Sequence, residues 1–115
     1  MASLAFPLTV AQKQLIMFVK PLPPQELSAW GRKYQDARQF HDALEFYRAA
    51  EDRPAMEALA ATAVDSADLV LLQNACRALG SEPPPPQVEA LRQRALEAGM
   101  ESVARRATTL LATLA

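Results

Sequence analysis

Leu27-x-x-Trp30-Gly31-x-x-Tyr34, a short polar break, then Ala43-x-x-x-Tyr47-x-x-Ala50 and Pro54 is the stretch whose spacing decides the fold. Residues three, four and seven apart share one side of a helix, so each half carries a single seam of mixed small and large side chains. Gly31 and Ala43 are small where Trp30, Tyr34 and Tyr47 are large, the complement two antiparallel helices need to approach closely. The spacing predicts a helical hairpin over residues 24–51, with Trp30, Gly31, Tyr34, Ala43 and Tyr47 along its seam.

Outward from this hairpin, nearly everything between the prolines reads as helix. Alanine, leucine, glutamate, glutamine and arginine dominate, and no stretch alternates long enough for a half-buried strand. Helices are expected at 10–19, 24–37, 40–51, 53–64, 67–79, 85–98 and 100–114. Thr9 suits the N-cap of the first, Pro24 the first turn of the second, and Gly80 a helix stop. The run from Ser81 to Pro86 should be largely extended because proline disfavours helix in the residue before it. It reads as a stiff spacer, with a ligand for an aromatic groove as the alternative.

A displaced copy of the hairpin supports this division. At an offset of 61 residues Pro24 matches Pro85, Tyr34 matches Ala95, Ala43 matches Ala104 and Ala50 matches Leu111. The pair at 53–79 keeps helical period and small residues only. The expectation is an all-α chain of stacked antiparallel helical hairpins. Residues 1–23 would form an amino-terminal arm with a capping helix and a proline-rich connector, and 24–115 a single helical-repeat domain of about three hairpins.

The first hairpin resembles one unit of the tetratricopeptide repeat. Leu27 stands where that family usually has tryptophan, Trp30 where it has leucine, and Pro54 arrives one residue early. The copy at 85–114 keeps Leu91, Ala95, Gly99 and Ala104 but lacks the aromatics. The resemblance implies a right-handed α-solenoid that binds protein segments in a groove lined by the first helix of each unit. Carried onto this sequence, the groove positions are Ser28, Arg32, Gln35 and Asp36, with Glu89, Gln93 and Glu97 from the weaker copy. Arg32 stands out among them because a guanidinium can hold a carboxylate through two hydrogen bonds.

Composition narrows the function further. With 115 residues, half of them apolar, the chain is long enough to bury a core without metal or disulfides. A net charge of −1 gives no general attraction to nucleic acid or to an anionic membrane. The lone Cys76 and the absence of a leader-like start suggest a cytoplasmic protein, and arginine-rich, alanine-rich usage suggests a bacterial one. Leu15-Ile-Met-Phe-Val19 is too short to span a bilayer.

Catalytic chemistry has little to draw on. His41 beside Asp42 has no nucleophile placed near it by a known motif and reads as a solvent-facing residue at a helix start. One cysteine and one histidine cannot form an ordinary zinc site, and no glycine-rich phosphate loop exists. No enzyme activity, metal or cofactor is expected. Arg92, Arg94, Arg105 and Arg106 are thin for phosphate binding and read as surface pairs, such as Glu101 with Arg105.

The arm is the second candidate for binding. Ala11, Leu15, Phe18 and Val19, with Ile16 beside them, are expected on one apolar face, preceded by Leu4 and Phe6. Burying one such large side chain is worth about 1.5–3 kcal/mol, so the segment should dock. It could cap its own hairpin, exchange with a second copy to give a homodimer, or meet another protein through Leu15 and Phe18. The functional expectation is a non-enzymatic protein-binding module of adaptor or chaperone-like type. A structural, homo-oligomerising domain and a small nucleic-acid regulator are the alternatives.

Overall fold

The computed structural model describes residues 4–114 and is all-helical there, with no strand among those residues. The helices are α1 (Val10–Gln14), α2 (Pro24–Asp36), α3 (Phe40–Ala49), α4 (Arg53–Asp65), α5 (Leu69–Ala78), α6 (Pro85–Glu97) and α7 (Glu101–Leu114). α1 runs directly into a π-helical turn, Leu15–Val19. The chain divides into two compact units, the first ending at Arg53 and the second starting at Pro54.

Proline and side-chain caps set the helix starts. Thr9 closes a capping box: its hydroxyl accepts from the Gln12 amide while the Gln12 side chain accepts from the Thr9 amide. Pro24 and Pro85 occupy first helical positions, where the missing N–H has no intrahelical partner to lose. The Ser81–Pro86 run is therefore only half extended, since Pro85 and Pro86 already belong to the first turn of α6. Asp68 caps α5 by accepting from the Leu71 amide at 3.0 Å.

One device ends five of the helices. Arg38, Glu51, Ala67, Gly80 and Gly99 all have positive φ, between 54° and 86°. At each, the next amide reaches back five residues, as from Gln39 to Tyr34 and from Met100 to Ala95, at 2.8–3.0 Å. A second bond from the left-handed residue itself joins the carbonyl three before it, as from Arg38 to Gln35 and from Gly99 to Leu96. This is the Schellman termination, for which glycine is the usual residue.

Three of these corners carry a Cβ in a conformation that costs an L-residue about 1–2 kcal/mol. Arg38→Gly and Glu51→Gly, both exposed, should each stabilise the chain by about 1 kcal/mol in urea unfolding. Ala67→Gly should gain less, because its methyl is buried (3% exposed) and removing it forfeits about 0.8 kcal/mol. No gain in stability, or a loss, at Arg38 and Glu51 would refute the strain assignment.

In the first unit α2 packs along α3. Gly31 and Tyr34 of α2 and Ala43 and Tyr47 of α3 are buried, as expected of the seam, and Leu27 and Phe46 are buried as well. Trp30 is the exception: it is only half-buried, and Lys33 Nζ lies 4.5 Å from its ring centroid. Gly31 is where the helices come closest, since a Cβ there would sit 2.6 Å from Tyr47 Cε1.

In the second unit α6 packs along α7, with Val88, Leu91, Ala95, Ala104 and Ala107 buried. The 61-residue register recurs in the coordinates, since α2 and α6 start and stop 61 residues apart (Pro24–Asp36, Pro85–Glu97). α4 and α5 depart from the expected third hairpin. They share the corner geometry at Ala67, but their backbones do not run together as closely as those of the outer pairs. Met56, Leu59, Leu71 and Leu72 are buried there, and large side chains hold helix axes farther apart than alanine or glycine does.

Candidate functional site

Tyr34 anchors the arm. Its ring is stacked on Phe46 at 5.3 Å and meets the Phe6 ring edge-on at 4.8 Å, and its hydroxyl accepts from the Leu8 amide at 2.7 Å. Lys13 Nζ lies 5.0 Å from the same ring centroid and forms a salt bridge to Asp42 of α3. Burial lowers the Lys13 pKa, but the hydrogen bond and charge of Asp42, with Glu45 behind, outweigh it and raise the value. The arm thus lies on its own hairpin, the capping arrangement among those the sequence left open.

The face it buries differs from the expected one. Ile16 and Met17 are buried, whereas Ala11, Leu15, Phe18 and Val19 are exposed. The π-helical turn is the reason. The Lys20 amide bonds to the Leu15 carbonyl five residues back, at 2.7 Å, and the wider turn shifts the side chains out of the 3.6-residue phase. Val10 (73% exposed), Phe18 (70%) and Val19 (68%) are left in water.

Between this arm and α3 runs an open groove of about 610 Å³. α1 supplies Val10, Lys13 and Gln14, and the π-helical turn supplies Met17 and Phe18. α3 supplies Glu45, Arg48 and Ala49. Met17 and Ala49 are the most covered apolar members, Val10 and Phe18 stand exposed, and the charges carry both signs. Such a groove can take up an apolar side chain and orient its backbone with polar contacts at the edge. Its described lining residues include no nucleophile paired with a base.

The family-derived positions lie elsewhere. Ser28 donates to Asp52 at 2.8 Å, and Gln35 accepts from the Tyr47 hydroxyl at 2.6 Å, so both tie the hairpin together. Burial raises the Tyr47 pKa, with the Arg32 charge opposing it, and keeps that hydroxyl a donor. Arg32 and Asp36 are exposed on α2, and none of the four lines the arm groove. Leu15 is exposed and does not line the groove, and Phe18 is the one expected contact residue that does.

In the second unit Gln93 donates to Glu89 at 3.1 Å, and Glu89 also accepts two bonds from Arg92, at 2.7 and 2.9 Å. These bonds hold the Glu89 carboxyl well below its ordinary range, at about 2. A depressed carboxylate stabilises the fold above its ordinary pKa near 4.5 and loses that contribution as pH falls toward 2. Glu89→Gln should therefore lower thermal stability slightly at neutral pH, match the native chain near pH 2, and so flatten the acid limb over that interval. An unaltered acid limb refutes the linkage. Glu101 and Arg105 do not form the expected pair; the described ion pairs of this unit are Arg92 with Glu89 and Arg94 with Asp65.

Among the described residues no three His, Cys, Asp or Glu side chains converge as metal ligands would. Cys76 is buried (3% exposed), which pushes its thiol pKa up, with Glu82 contributing. No described helix is long and apolar enough to cross a membrane. No protein-family model, curated protein or solved structure matches the chain.

Proposed function

We propose that this chain is a non-enzymatic binding module of the cytoplasm that holds an amphipathic helical segment of another protein in the groove between its arm and α3. The observation that carries this reading is the exposure of Val10 and Phe18 beside that groove. Large apolar side chains grouped in water at a concave surface cost free energy that docking recovers. Glu45 and Arg48 supply one acceptor and one donor at the groove, fitting a partner helix with mixed charge beside its apolar stripe. The tetratricopeptide-like spacing of the first hairpin supports the same class of activity, with Arg32 and Asp36 as a second contact surface on α2.

A photo-reactive residue at Gln14, used in the native cell, tests this. Cross-links should map to one segment of a different protein, and the matching synthetic peptide should bind the purified chain. Phe18→Asp should abolish peptide binding while shifting stability by no more than about 0.5 kcal/mol, as an exposed substitution does. Cross-links to a second copy alone, with a concentration-dependent dimer, would instead make the chain a structural oligomerising domain. Unchanged peptide binding by Phe18→Asp would remove the groove assignment.

A further inference from the structure

The second unit has a groove of its own, lined from α5 and α7, of about 520 Å³. Leu69 is buried in it and Leu110 is half-buried, giving an apolar patch. Arg105 and Arg106, both exposed, line it as well, with the polar side chains of Gln73 and Thr109. Among the described residues, no carboxylate lines this groove and neither guanidinium has an ion-pair partner. In this it differs from the arm groove, where Glu45 accompanies the cations.

Two unmatched guanidiniums beside an apolar patch describe their ligand by complementarity. Each can grip a carboxylate with paired hydrogen bonds, and Leu69 with Leu110 can receive one aliphatic side chain. We infer that the α5–α7 groove binds an acidic peptide segment, with neighbouring carboxylates on Arg105 and Arg106 and a leucine-sized anchor between Leu69 and Leu110. The site is separate from the arm groove and does not depend on it. A nucleic acid fits less well, because two cations neutralise few phosphates and the apolar patch would face a charged backbone.

The test uses the full chain and a fluorescein-labelled peptide with two adjacent glutamates and a leucine one helical turn away, followed by fluorescence anisotropy. Binding is expected, weakening as salt rises, and absent for the peptide with lysine in place of both glutamates. Arg105→Glu with Arg106→Glu should weaken it by about tenfold or more. Leu110→Ser should weaken it also, and circular dichroism should show both variants folded. Phe18→Asp should leave it unchanged, which separates this site from the arm groove. Undiminished binding by the double variant overturns the inference. So does tighter binding of a single-stranded oligonucleotide than of the peptide, or a dimer that Arg105→Glu dissociates.

Discussion

Tyr34→Ala is expected to cost the first unit about 3–5 kcal/mol, the loss typical of a large aromatic cut from a packed core. The side chain is 1% exposed, and four groups depend on it: Phe6, Phe46, Lys13 and the Leu8 amide. Removing the ring opens a cavity and takes away the surface on which the arm lies. Urea unfolding of the variant should show a lowered midpoint. Amide exchange should show residues 8–19 losing protection before α2 and α3 do. Tyr34→Phe separates the hydroxyl from the ring: it keeps the packing but leaves the Leu8 amide without its acceptor, a cost of about 1–3 kcal/mol. A Tyr34→Ala variant with wild-type protection over the arm would show that the anchor lies elsewhere.

The second large effect is expected at Gly31. An alanine there puts its methyl 2.6–3.1 Å from three atoms of the Tyr47 ring, a buried ring held at its far end by Gln35. Overpacking of this kind costs about 1–3 kcal/mol, against about 1 kcal/mol recovered from alanine's better helix propensity. Gly31→Ala should therefore destabilise by about 1–2 kcal/mol, and Gly31→Val by roughly 3 kcal/mol because its second methyl cannot turn away. The coupling is checked in a double-mutant cycle. In a Tyr47→Leu background the cost of Gly31→Ala should largely vanish, whereas additive losses would mean the helices do not touch at this point.

Helix boundaries were readable because punctuation residues mark them physically. Pro24 and Pro85 can stand only where no amide is needed, and Gly80 and Gly99 adopt a positive φ at little cost. The equivalent corners at Arg38, Glu51 and Ala67 carry no glycine and were legible only as short polar breaks. The arm was misread because Leu15 to Val19 is an unbroken apolar run, which has no periodicity to reveal a turn of different width. Its site suffered likewise. Phe18 could be named, but Lys13 meets Asp42 across 29 residues of sequence, a distance that no local spacing encodes. The groove residues Val10, Lys13, Gln14, Met17 and Phe18 are of mixed polarity, which hides them from a search for purely apolar stripes. Ser28 and Gln35 show the converse limit: groove positions carried over from a resemblance proved to be bonded within the hairpin.

The bend at Arg38 resembles a sprung catch. Left alone, its backbone would relax toward ordinary right-handed or extended torsions, so it stays cocked only while α2 and α3 press together on either side. Once that pressure goes, little remains to favour the bend. The two rods should then part in a single step rather than peel from their tips.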